Sequence, residues 1–370
     1  MPNFEGQISA PLPRPTQDEL EKLISKHEQW LANPSNGTRL VLLGVDLVGL
    51  TLSGNLSQAI FRNCQLQGAS FLNARLSQSD LMACDLTATL FENVIIGPGI
   101  TQIHNCNLSR MRSNNLRATN GSLMGCAFTG AKLENTSFSS GFIKSCTFAD
   151  STLSQFSFAG VVIEDINLNR VDFGMDCSAL KAQFYGGSAL AIDFSKFTSL
   201  EDSSFIGTDF SDGVANDVDF GSNGLRAKSF QKSKFLNSHL SGAKLYDVDF
   251  GGVDFTNSDL TNTVIKGDLR GATFRHAKLH QAQLAWINVE ACDFSHCQGA
   301  IETDNIRASR ADFTQAQLSG SHLAYADLRG ANFRGAELKH AILGGADLEG
   351  AVWTSGEICA AGSVGRCIIS

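Results

Sequence analysis

Proline is nearly missing from most of this 370-residue chain. Five of the six prolines fall at Pro2, Pro11, Pro13, Pro15 and Pro34, and beyond them only Pro98 occurs. Proline has no N–H to donate, so it is excluded wherever strands pair with neighbours on both sides. From about residue 39 the sequence therefore reads as the interior of a hydrogen-bonded ladder. Charge is sparse as well. Only 18% of residues are Asp, Glu, Lys or Arg, with no block of like sign, and Gly, Ser, Asn and Thr fill the deficit, as in turn-rich all-β chains. A net charge of −8 and the lack of a basic stripe argue against nucleic acid as a partner. Long apolar runs are missing too. The longest, Leu40 to Leu52, is broken by Asp46 and too short to span a bilayer, so no membrane partner is expected. The first residues, MPNFEGQISAPLPRP, have neither the basic start nor the apolar core of a secretory signal. The expected location is cytoplasmic, with signal-less export left open, and the ten cysteines are expected to be thiols.

Catalytic motifs are equally scarce. There is no phosphate-binding glycine loop, no H-E-x-x-H and no paired C-x-x-C. His276 and His296 stand twenty apart with Cys297 adjacent, which permits a metal site, but solvated surface histidines are the plainer reading. Asp209, Asp219, Asp249, Asp254 and Asp259 each precede a bulky residue, where turn hydrogen bonding accounts for them better than paired-acid catalysis. No enzyme activity, cofactor or metal is expected.

What the chain does have is a period of five. In Ala326–Trp353, ADLRGANFRGAELKHAILGGADLEGAVW, each fifth residue is bulky: Leu328, Phe333, Leu338, Leu343, Leu348 and Trp353. Alanine stands two places before each, and residues two apart on extended chain point the same way. Both therefore face inward, and the bulky residue is the centre of its five. Each buried centre contributes roughly 1.5–3 kcal/mol, so Phe148 should matter far more than Asn135. Cysteines mark the length of a coil. Cys64 and Cys84 are twenty apart, as are Cys106, Cys126 and Cys146, all at the small inward position. Twenty residues make four sides, and the cysteines form an inner column, packed as small apolar residues instead of a disulfide ladder. Coils stacked at strand spacing, roughly 4.8 Å, would give a rod about 70 Å long. Centres fail or shift at 97–122, 174–199 and 295–312, where loops, bulges or a bend are expected.

The ends depart from the period. TQDELEKLISKHEQWLANP predicts a helix with a Thr16/Glu19 capping box, an inward face of Leu20, Leu23, Ile24, His27 and Leu31, and a stop before Pro34. It reads as a lid on the first coil, or as a docking helix, with Trp30 a candidate interaction residue at the edge of its face. PLPRP ahead of it reads as a plain extended leader in preference to a groove ligand. Trp286, two places after a centre, should point outward and is the second candidate interaction residue, with packing under a loop near the register change at Ile265 as the plainer reading. Trp353 is placed to plug the last coil. Cys359 and Cys367 lie off the repeat, on a tail expected to fold back with free thiols, a disulfide being the alternative.

ADLRG, ANFRG, AELKH and ADLEG resemble the A(D/N)LXX consensus of the pentapeptide-repeat family, and the resemblance covers about residues 40 to 354. It implies an all-β, right-handed quadrilateral β-helix. The domain boundaries that follow are a leader and capping helix at 1–38, the β-helix at 39–354 and a tail at 355–370. The leader RPTQDELEKLISKHEQWLANPSNGTRLVLLGVDL and the tail CAAGSVGRC resemble members associated with bacterial type VI secretion. That implies a non-enzymatic protein-binding scaffold acting as adaptor, accessory or cargo, its partner a protein. The alternative is a DNA mimic acting on gyrase, as in the topoisomerase-protecting members. Against it, duplex DNA carries one charge per roughly 1.7 Å, and those relatives dimerise through an apolar C-terminal element not visible in this sequence.

Overall fold

A coil of five-residue sides cannot bond to itself, because the N–H and C=O groups of its sides point along the axis while the side chains alternate inward and outward. Its backbone must pair with the coils before and after. The computed structural model describes residues 12–220, 227–246, 248–284, 287–303 and 305–369. Its backbone bonds follow that rule: Gln65 N–H donates to Val45 (3.0 Å) and Leu66 N–H to Asp85 (2.7 Å), one coil on each side. The chain divides into two compact units, Met1–Thr147 and Phe148–Ser370.

In the first unit parallel strands stack in register. Val41 pairs with Ile60, Ile60 with Asp80, Asp80 with Gln102, Gln102 with Ser122 and Ser122 with Phe142. The twenty-fold spacing of the coil thus holds, the first step being shorter by one and the step from Asp80 to Gln102 longer by two. That excess sits at the Gly97–Gly99 turn, where the cysteine spacing places it. The expected loop at 97–122 is otherwise corrected. Arg112–Asn114 pairs with Leu90–Glu92 and with Lys132–Glu134, and Arg117–Thr119 pairs with Ser137–Ser139. The ladder runs on because Ser113 and Ala118 occupy bulky-residue positions. Ser113 is buried there with its hydroxyl bonded to that of Thr136 (2.8 Å).

The second unit repeats the plan with more variable coils. Ile163 pairs with Phe184 and Phe184 with Phe205, each step longer by one than the usual coil. Ser204 then meets Ser229, a step longer by five, and Asp293 meets Asp312, a step shorter by one. Of the loops or bulges expected at 174–199 and 295–312, the first includes a break in register between Cys177 and Ser178, as a bulge gives, and the second is a register change with bridges continuing at Glu302 and Asp312. The first of these takes up its excess around Gly174–Asp176, where Met175 is exposed, and the second is short by one.

Side chains explain the tolerance. Centres are buried in both units, among them Phe61, Phe71, Phe91, Phe148 and Phe255. In the second unit Phe274, Phe294, Phe313 and Phe333 stack with centroids 4.7–5.1 Å apart and planes within 9°, close to the strand spacing. At the small position, buried hydroxyls donate to the preceding centre's carbonyl, as Thr89 does to Leu86 and Thr263 to Leu260. The corner after each centre takes a positive φ, hence Gly330 (67°) and Gly350 (70°). Asparagine tolerates the same region: Asn73, Asn93, Asn115 and Asn135 stand at such corners and link side chain to side chain.

The helix Gln17–Ala32 has the expected capping box, and Leu20, Ile24 and His27 are its buried face. Leu23 departs from expectation at 40% exposed, and Leu31 is half-buried, because the helix meets the coil over a narrow stripe. That stripe makes the helix a lid. The Gln17 amide accepts from Thr51 N–H and donates to Thr51 C=O, as a neighbouring strand would. Glu28 accepts from Asn55 N–H (2.9 Å). Buried His27 donates Nε2–H to Ser57 C=O (2.9 Å) and accepts Leu40 N–H at Nδ1 (3.1 Å).

Two tests follow. Phe148→Ala should cost about 3–5 kcal/mol in denaturant unfolding, whereas Asn135→Asp, at an exposed corner, should stay within about 0.5 kcal/mol. Burial first, and then Arg39, push the His27 imidazole below its ordinary value, against Ser57 and Glu28 acting the other way. A base depressed by folding binds its proton more readily when unfolded, so its stabilisation is complete above about pH 6.5 and falls away as pH drops below it. Unfolding between pH 7.5 and 5.5 should show this loss, and His27→Gln should flatten it.

Candidate interaction surfaces

Outward positions form columns, one residue per coil. In the second unit one column reads Asp268, Asn288, Arg307, Asp327 and Asp347, and another Asp254, Thr273, Asp293, Asp312 and Asn332. The aspartates turn back on their own corners as expected: Asp249 accepts from Gly251 N–H, Asp254 from Thr256 and Asp259 from Thr261. Others pair with cations, Asp268 with Arg270 (2.6 Å) and Asp327 with Arg329 (2.8 Å). Those guanidinium bonds hold both carboxyls below the usual carboxylate range. Charge is unevenly shared: residues 1–147 carry 10 acids against 11 bases, and residues 148–370 carry 27 against 18.

His276 and His296 do stack on the outer face, with ring centroids 4.8 Å apart. Cys297 points the other way into the core and is fully buried, so the three do not converge. Among the described residues no group of three or more His, Cys, Asp or Glu is placed to hold a metal ion. Trp30 is half-buried between His27, whose ring stacks on it at 5.7 Å, and the Arg39 guanidinium, also at 5.7 Å. The Arg39 contact ties the helix to the turn after it, and only part of the ring faces out. Trp286 lies outside the described residues. PLPRP is tied down from Leu12 onward, Pro11 lying outside the described residues: Arg14 makes two 2.9 Å bonds to Asp46 and one to Val48 C=O, and Pro13 C=O accepts from Asp46 N–H.

Beyond Trp353 the tail folds back antiparallel, Val352 to Ile358 and Asp347 to Val364. Trp353 is only half-buried against Phe333, so the tail, more than the indole, closes the last coil. Cys359 and Cys367 are disulfide-bonded, correcting the expectation of free thiols. The fold-back brings their Cα atoms to 5.0 Å, a separation that suits a disulfide. This pair could not be inferred from the five-residue period, because both cysteines lie beyond it. The other eight are free and buried. Cys126 N–H lies 3.4 Å from Cys146 Sγ, as a stacked column requires. Burial pushes the Cys292 and Cys297 thiols up to about 12.

Residues 55–93, 229–262, 265–296 and 311–350 match the family model described as pentapeptide repeats, in 8 copies. The chain belongs to the pentapeptide-repeat family. No curated protein matches it. Among solved structures it is similar to HetL, a pentapeptide-repeat protein involved in heterocyst differentiation regulation in the cyanobacterium Nostoc sp. strain PCC 7120. The identity is 18%, over 90% of this chain and 97% of that one, at a TM-score of 0.15. Full-length QnrB1, a plasmid-mediated fluoroquinolone resistance protein, is 19% identical over 63% of this chain and 91% of its own, at a TM-score of 0.17. Overlays of that quality carry no functional argument. No helix among the described residues is long and apolar enough to cross a membrane.

Thiol counting tests the site chemistry. An aromatic disulfide reagent at pH 8 should find essentially no reactive thiol in the folded protein, eight after denaturation and ten after denaturation with reduction. Two reactive thiols in the folded, unreduced chain would place Cys359 and Cys367 in the reduced state.

Proposed function

We propose that the chain is a non-enzymatic protein-interaction scaffold serving bacterial type VI secretion as an adaptor, accessory or cargo protein. One observation carries the scaffold reading: inward positions are committed to packing, while outward columns vary freely in charge and shape from coil to coil. Such surfaces specify partners through complementary patches. The secretion role rests on the likeness of the leader and tail to members associated with that system. It is supported by the care with which both segments are built, the leader bonded to the first coil and the tail to the last. The Cys359–Cys367 disulfide supports a route that begins in the cytoplasm and ends in an oxidising compartment.

The acidic excess in residues 148–370 favours one second reading, a DNA mimic acting on gyrase. The columns weigh against it, since Arg307, Arg270 and Arg329 interrupt the aspartates, and a column at roughly 4.8 Å per step cannot match duplex charge density.

Capture with the full chain as bait, from a lysate of its own bacterium, should recover secretion-system components or effectors. Recovery of none, with the bait folded by circular dichroism, would remove the secretion role. In a gyrase supercoiling assay the chain should neither inhibit nor protect, and either effect would move the mimic reading ahead.

A further inference from the structure

Among the described residues the first coil has no earlier coil to pair with, and its capping is uneven. The leader, the helix and the turn after it supply groups that meet the backbone at Asp46, Val48, Thr51, Asn55, Ser57 and Gln58. The side Val41–Leu43 is different. Ile60 N–H donates to Leu40 C=O, and Gly44 N–H donates to Arg62 C=O, so the Leu40 carbonyl, Leu42 and Gly44 face the second coil, while Leu40 N–H is taken by His27 Nδ1 on the helix. Alternate residues of a strand bond in opposite directions. Val41 and Leu43 therefore aim their N–H and C=O groups away from the coil, where they meet no partner among the described residues. Their side chains are 45% and 59% exposed. Beside this edge lies a groove of about 260 Å³, walled by Leu23, Lys26, Thr38 and Arg39 together with the strand. No acidic residue lines it. The Lys26 ammonium has no ion-pair partner among the described residues, nor does Arg39, whose Nε–H is spent on Gln58 C=O.

We propose that Val41–Leu43 takes an extended segment of a partner protein as an added strand. This rests on the scaffold reading and names where and how a partner is held. The segment supplies backbone N–H and C=O groups to Val41 and Leu43, a small apolar side chain to the groove beside Leu23, and carboxylates near Lys26 and Arg39. Main-chain pairing gives the attachment and the flanking charges give the selectivity. An open strand edge is ordinarily blunted by charge, proline or a cover. Among the described residues the cover stops one side short, although the same helix supplies Gln17, His27 and Glu28 to the sides next to it.

The probe is a short synthetic peptide of alternating valine and threonine with an aspartate at each end. Added to the full chain, it should bind saturably and slow hydrogen exchange at the Val41 and Leu43 amides. A counterpart N-methylated at alternate residues, which cannot pair as a strand, should not bind. Lys26→Glu, an exposed change remote from the core, should weaken binding about threefold. No saturable binding, or binding that leaves those two amides unprotected, would overturn the proposal. So would protection already present in the peptide-free chain and lost on removing residues 1–11, which would make the chain's own leader the occupant. Protection that rises with dimerisation would overturn it in favour of a second copy. None of these outcomes touches the lysate capture, on which the scaffold reading stands separately.

Discussion

Each coil of this protein can satisfy its backbone only through other coils. Unpaired buried amides and carbonyls cost on the order of 1–3 kcal/mol each, so the repeat cannot simply stop. Proline is consequently absent from nearly all of the ladder, and the most specific local chemistry stands where stacking runs out. At the first coil, Gln17, His27 and Glu28 imitate the donors and acceptors of a missing strand. At the last, the chain reverses and pairs antiparallel with itself. The two solutions differ because a helix must offer side chains where a returning strand can offer backbone.

The same constraint decides where irregularity is allowed. The long coil from Ser204 to Ser229 and the short one from Asp293 to Asp312 are both accommodated with inward positions keeping their column: Phe205 stacks on Phe230 at 5.0 Å and Phe294 on Phe313 at 5.1 Å. An insertion in a side would instead move every following side chain to the opposite face. The near-parallel stack Phe274, Phe294, Phe313 and Phe333 holds its register even across the short coil between Phe294 and Phe313. Ring contact and backbone pairing ask for nearly the same separation, so neither is strained by the other.

Much of the fold is legible in the sequence for that reason. The fives mark the inward residues, the cysteines mark the coil length, and Thr16 with Glu19 marks the helix start. What escapes is written in residues whose role depends on a distant coil. Ser113 does not look like a core residue until Thr136 lies over it with a hydroxyl. Leu23 belongs to an apolar helical stripe yet is exposed, since the width of the contact is set by the coil and not by the helix. Cys359 and Cys367 lie beyond the repeat, and only the fold-back brings them together. The surfaces are less legible still. Trp30 stands in the sequence as a candidate interaction residue at the edge of the helical face, and nothing there shows that the His27 ring and the Arg39 guanidinium lie against it.

Separation of inward from outward residues also explains why the fold announces itself so loudly and the partner so faintly. Packing constrains two positions in five and leaves the rest to vary without cost to the ladder. Repeats of this kind therefore share a core signature while their faces diverge. Across most of the described ladder, moreover, the backbone is engaged with coils on both sides, so recognition across those faces is carried by side chains. The first coil departs from this. At Val41 and Leu43 two main-chain donors and two acceptors stand in a fixed row with no partner among the described residues. A site built from backbone groups is indifferent to the drift of surface side chains, and it is created by the very rule that governs the interior: every coil needs a neighbour.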